Sequence, residues 1–135
     1  MKRLARFYGD VIGCIPKGPE RDLSGEWIDR VTSLSATHLR GVHLRLPGYG
    51  DDGPTLEIFS YDDMPDKQLP MPNDPSFAHI AFAVDDVEAA LEAVISAGGS
   101  SAGEIATTEV GGVGFLQVIY ARDPEGNIVE LQKWR

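Results

Sequence analysis

A single cysteine, Cys14, stands among 135 residues. One thiol excludes an internal disulfide and any zinc site built on cysteines. Positive charge is also scarce: 12 Lys and Arg face 21 Asp and Glu, a formal net charge of −9. Nucleic acid and anionic membranes are held by clustered cations, so neither partner is expected, whereas a cationic or metal-bound ligand suits such a field. No apolar run approaches the roughly 20 residues that cross a bilayer, and no charged-then-apolar leader opens the chain. A cytoplasmic protein is the expectation. The composition that remains, 42% hydrophobic and 24% charged, is ordinary for a globular chain with its own core.

Proline is sparse except in residues 62–76, where Pro65, Pro70, Pro72 and Pro75 fall together. That density forbids a helix interior or a central strand and marks a linker. It separates residues 1–61 from residues 77–135. In the second half, residues 77–84 alternate with Ile80, Phe82 and Val84 on one face. Asp85 reads as a helix N-cap with Glu88 completing a capping box. Val87, Ala90, Leu91, Val94 and Ile95 then recur at helical spacing, and Gly98-Gly99 supplies the stop. Residues 104–110 form a weak strand, 115–121 a strong one and 127–133 another. Between the last two, Asp123-Pro124-Glu125-Gly126-Asn127 closes an antiparallel hairpin. The Gly111–Gly114 run has no strand-then-helix context for a phosphate loop and reads as a hairpin tip.

The first half offers a helix over residues 2–11, with Leu4, Phe7, Tyr8 and Val11 on one stripe, ending near Gly13. A short helix over 25–34 follows, then strands over 38–46 and 54–61. This is the second-half unit, strand–helix–strand–strand–strand, without its opening strand. The fold class expected is α+β: two βαβββ modules around a cupped mixed sheet, the first module lacking that strand.

Three polar residues occupy comparable places in strands. Glu57, His79 and Glu130 are each flanked by apolar residues that face the helix side, so each points to the other face. Ala81, Ala83, Phe59, Ile128, Phe115 and Ile119 are assigned to that face, as in a semi-apolar cavity with convergent polar groups. One imidazole and two carboxylates would suit Mn, Ni, Co, Fe or Zn over copper(I), since no thiolate is present. Solvated glutamates and a locally bonded histidine are the plainer alternative. His43 and Arg45 share the cavity parity; with Phe59 and Phe115 they are the candidate substrate contacts. Cys14 has no base nearby in sequence and reads as a spectator thiol.

The segments FAHIAFAVDDVEAALEAV and YARDPEGNIVELQKW resemble the second half of the vicinal oxygen chelate superfamily, which includes glyoxalase I, bleomycin-resistance proteins and extradiol dioxygenases. RFYGDVIG resembles that family's first-module helix and PTLEIFSY its module-closing strand. The resemblance is weakest over residues 14–37. It implies a ligand from the first and last strands of each module, which by position gives Glu57, His79 and Glu130 as metal ligands. It also implies a metal-dependent lyase or isomerase of the glyoxalase/epimerase type, working through a metal-stabilised enediolate, with Glu57 or Glu130 as the catalytic proton carrier. A non-catalytic, bleomycin-resistance-like protein that sequesters a cationic aromatic compound is the first rival, with Trp27, Phe59 and Phe115 as stacking surfaces. An extradiol dioxygenase, needing two histidines and a carboxylate, is the second. The fourth family ligand would precede RFYGDVIG. Three readings of that gap stay open: a strand upstream of Met1, a position left to water or substrate, or His43. An exposed sheet edge left by the missing strand would be paired across chains, so a homodimer is expected.

Overall fold

The computed structural model describes all 135 residues and gathers the alternating segments into two sheets, one in each half of the chain. The chain divides into compact units Met1–Lys67 and Gln68–Arg135, with the boundary inside the proline-rich segment. That segment carries no helix or strand.

The second unit contains β5 (His79–Ala83), α3 (Val87–Ser96), β6 (Ser100–Ser101), β7 (Ala106–Val110), β8 (Gly114–Arg122) and β9 (Ile128–Trp134). Its sheet runs β5-β9-β8, with β6 and β7 both on the far edge of β8. Only β5 pairs in parallel, laid along β9 at the sheet's other edge. Ile119 and Ala121 of β8 pair with Leu131 and Val129 of β9, and all four are buried with Val87 and Val94 of α3.

The β8–β9 turn is built around Asp123, 2% exposed. Its carboxylate accepts from the amides of Glu125 and Asn127, both at 2.9 Å, and from the Asn127 side chain at 2.6 Å. Gly126 takes the positive φ of 83° that closes the turn. The helix cap lies one residue later than the sequence indicated. Asp86, not Asp85, is extended and accepts from the Ala89 amide at 2.8 Å. The shift takes Glu88 out of capping-box position, and its carboxylate instead accepts from the Gln117 amide at 2.8 Å.

The first unit opens with α1 (Lys2–Phe7), which widens into a π-helical turn over Tyr8–Ile12 and stops at Gly13. Two short strands follow, β1 (Ile15–Pro16) and β2 (Arg21–Ser24), then α2 (Glu26–Thr32), β3 (His38–Arg45) and β4 (Thr55–Tyr61). β3 is central. β4 pairs along its whole length, while β2 and β1 share its other edge. No strand lies on the outer edge of β4, the place that β5 takes beside β9. This is the missing opening strand. β1 and β2 were not expected, because Pro16, Gly18 and Pro19 break any alternation there. The fold is α+β, built on two βαβββ-type units.

One end of the first sheet is tied by charge. Nδ1 of His38 lies 2.7 Å from Asp62 Oδ2 and Nε2 lies 2.7 Å from Asp22 Oδ1, so the ring joins residues beside β4 and on β2. Ionised carboxylates only accept, so both ring nitrogens donate and the ring is charged. Arg40 Nη1 donates to the other Asp62 oxygen at 2.7 Å, and Arg40 Nε lies 3.6 Å from Asp22. The hydrogen bond to Asp22, then that to Asp62, raises the His38 pKa; the bonds from His38 and Arg40 lower that of Asp62.

Two outcomes are expected. Asp86→Ala should cost about 1 kcal/mol in urea unfolding, and Asp85→Ala much less; equal costs would misplace the cap. The stabilisation from His38 should be fully present below the ordinary imidazole value of about 6.5 and fade as pH rises through the raised folded value. That from Asp62 should be present above the ordinary carboxyl range and fade as pH falls through its depressed folded value. The difference in thermal midpoint between wild type and His38→Gln should therefore peak in mildly acidic buffer and shrink in salt. A difference that is flat with pH would refute the clasp.

Candidate functional site

In the second unit, the parallel register sets His79 beside Ile128 and Ala81 beside Glu130, so the imidazole reaches diagonally to the carboxylate. His79 Nε2 lies 3.0 Å from Glu130 Oε2, with the two side chains 30% and 14% exposed. If Nε2–H donates to that carboxylate, Nδ1 carries the ring's lone pair. Nδ1 is buried and has no hydrogen-bond partner. A polar atom left so is costly unless another group comes to it.

A third residue completes this cluster. Tyr120 sits directly across from Glu130 in the β8–β9 register, on the same face. Its ring packs at 4.9 Å from that of His79, tilted by 59°. Burial, then the Glu130 charge and its hydrogen bond with that carboxylate, raises the Tyr120 pKa, so the hydroxyl stays protonated and donates. The sequence had shown residues 115–121 as a strand without marking Tyr120. The available signal was the turn itself, since Tyr120 and Glu130 stand equally far from Glu125. The same register corrects two assignments. Phe115 and Ile119 share the face of Leu131, opposite Glu130, so Phe115 is not a contact of this site. Strand parity had been counted on β8 without knowing which of its residues meets Glu130.

The first unit carries a looser pair. His43 and Glu57 are cross-strand neighbours, and Nδ1 lies 3.6 Å from Oε1, too long for a hydrogen bond. Phe59 lies on the same face, its ring edge-on to His43 at 5.9 Å and 88°. Arg45 also shares this face and forms an ion pair with Asp51. With Lys17, these two residues line a cavity of about 270 Å³. Glu57 is half exposed. Neither unit groups three His, Cys, Asp or Glu side chains as a metal would need. Burial pushes the Cys14 thiol pKa up, which suits an inert core residue.

The family model described as Glyoxalase/Bleomycin resistance protein/Dioxygenase superfamily matches residues 1–131. No protein of curated function matches significantly. Among solved structures, a glyoxalase family protein from Bacillus cereus is 20% identical with a TM-score of 0.75, over 92% of this chain and 80% of that one. A glyoxalase family protein from Enterococcus faecalis is 19% identical with a TM-score of 0.60, over 98% and 87%. A fosfomycin resistance protein from Listeria monocytogenes is 16% identical with a TM-score of 0.56, over 99% and 82%. At such identities the likeness is one of fold.

In chelator-treated protein, ultraviolet titration of wild type against Tyr120→Phe should show a late step, above the ordinary phenol value of about 10, that belongs to Tyr120. Tyr120→Phe should remove that late step. A late step that survives the substitution would place Tyr120 outside the cluster.

Proposed function

The chain belongs to the Glyoxalase/Bleomycin resistance protein/Dioxygenase superfamily, and from that premise we propose that it is a metal-dependent lyase or isomerase of the glyoxalase/epimerase kind, acting on a small oxygen-bearing substrate. The observation that carries this reading is the part-buried His79–Glu130 pair, with imidazole Nε2 3.0 Å from carboxylate Oε2. The donor set fits: an imidazole nitrogen and a carboxylate oxygen suit Mn, Ni, Co, Fe or Zn. Bound there, a divalent ion supplies Lewis-acid polarisation of vicinal substrate oxygens.

The chain's own groups do the rest. His79 and Glu130 would hold the ion. Tyr120 donates to Glu130 and fixes the direction of its free oxygen lone pairs. Glu57 is the candidate third ligand, assigned on strand parity. Glu57 or Glu130 takes the proton from the carbon next to a substrate carbonyl and returns it. His43, Arg45 and Phe59 share the face of Glu57 and are the proposed substrate contacts, with Arg45 suited to an anionic group. The same reading makes the protein a cytoplasmic homodimer that meets a small molecule, with neither nucleic acid nor membrane as partner. No helix is long and apolar enough to cross a membrane.

A second reading, a non-catalytic protein that sequesters a cationic aromatic compound, is favoured by one observation: no three-residue metal group forms within a unit. The net charge of −9 and the exposed Trp27 suit such a ligand.

Elemental analysis of the purified, tag-free protein separates the two. Near-stoichiometric divalent metal is expected, absent from His79→Ala and Glu130→Gln. Tyr120→Phe should keep the metal but bind it about 10–100-fold more weakly, the usual effect of losing a group that orients a ligand. No uptake of Mn, Ni, Co or Zn by the wild type would end the enzyme reading in favour of sequestration.

A further inference from the structure

The central strand of the first sheet contains a glycine where its neighbours would favour a side chain. Gly41 pairs with Phe59, one step along the same face from the pair of His43 with Glu57. A Cβ at position 41 would lie 2.0 Å and 2.4 Å from two carbons of the Phe59 ring and 3.0 Å from the Ile58 carbonyl oxygen. The ring thus occupies the volume that any other residue at 41 would fill. Glycine inside a strand weakens it and often marks a place where another group approaches closely. Here that group is an aromatic side chain from the adjacent strand, a pairing known to offset the loss at glycine.

We infer that Gly41 and Phe59 form one positioning device for His43. The imidazole has two neighbours on its own strand face, Gly41 and Arg45. Phe59, laid across Gly41, presents itself edge-on to the imidazole at 5.9 Å and closes that side. Arg45 is drawn to Asp51. The imidazole is left facing Glu57, with Nδ1 3.6 Å from Oε1. Any Cβ at 41 lifts the ring off the sheet, frees the imidazole and raises an obstacle where the ring had made a flat floor. Phe59 and Gly41 are positioning residues; the role rests on reading this face as substrate-binding. The floor they make suits a substrate with a flat apolar portion beside its oxygens.

The test uses the full chain, treated with chelator, and follows the ring protons of its three histidines by NMR, with His43 assigned by loss of its signals in His43→Gln. The Phe59 ring current should displace the His43 signals from their free-imidazole positions. Phe59→Leu should abolish that displacement and Phe59→Tyr should keep it. Gly41→Ala should change it while the His38 and His79 signals stay in place. Gly41→Ala/Phe59→Leu should recover the thermal midpoint lost in Gly41→Ala, since the added methyl no longer meets a ring. His43 signals indifferent to both Phe59→Leu and Gly41→Ala would overturn the device. If Gly41→Ala does not fold, the Phe59 pair decides alone. A parallel Mn²⁺ titration keeps the ideas apart: no uptake overturns the metal reading and leaves the His43 result standing, whereas normal uptake with unmoved His43 signals overturns only the device.

Discussion

The register of β8 against β9 is the constraint on which the second unit depends, and it is set by a buried carboxylate. Asp123 gathers the amides of the turn and the Asn127 side chain, so the number of residues between the strands is fixed by hydrogen bonds inside the loop. A slip of one residue would exchange the two faces of β9. Val129 and Leu131 would then leave the core under α3, and Glu130 would enter it as an uncompensated charge. The cost of either error is several kcal/mol. The register that packs the core is therefore the one that brings Tyr120 to Glu130, and β5, laid parallel along the other edge of β9, brings His79. The cluster needs no separate organising principle.

The pattern of alternation was enough to place Glu57, His43, Arg45 and Phe59 together on one face of the first sheet, and His79 with Glu130 on one face of the second. Each lies in a strand whose apolar residues name its buried side. Phe115 and Ile119 were misplaced because β8 is apolar on both faces along much of its length, so parity alone has no anchor there; only pairing with β9 supplies one. Tyr120 escaped for a related reason. A tyrosine within FLQVIYA reads as core until its partner across the sheet is known to be a carboxylate. The cap moved from Asp85 to Asp86 because two adjacent aspartates are equally good acceptors by sequence, and the backbone at Asp86 is the one left extended. β1 and β2 were illegible since their strand character comes from the edge of β3, a long-range partner, in a stretch punctuated by Pro16, Gly18 and Pro19.

The two units also show what surroundings do to one pair of residue types. Each carries a histidine and a glutamate as near neighbours on one sheet face. In the second unit the pair is close and shielded, with a tyrosine ring against the imidazole and a hydroxyl on the carboxylate. In the first it is open, and the carboxylate is half exposed to water. Electrostatic coupling strengthens as water is excluded. The second pair is thus the stiffer and more demanding of a further partner, while in the first the Glu57 carboxylate is the group left open to solvent. A division of labour between a fixed holding group and an adaptable one is compatible with that contrast.

The unit boundary at Lys67 and Gln68 bears on the protein's history as much as on its packing. Every hydrogen-bonded ladder is closed within its own half, so no strand pairing spans that point. A crossover between genes at this position would carry an entire sheet with its helix, its turn and its charged pair into a new context intact. The half-chain, rather than the single residue, is then the natural increment by which such a protein could acquire a new pocket.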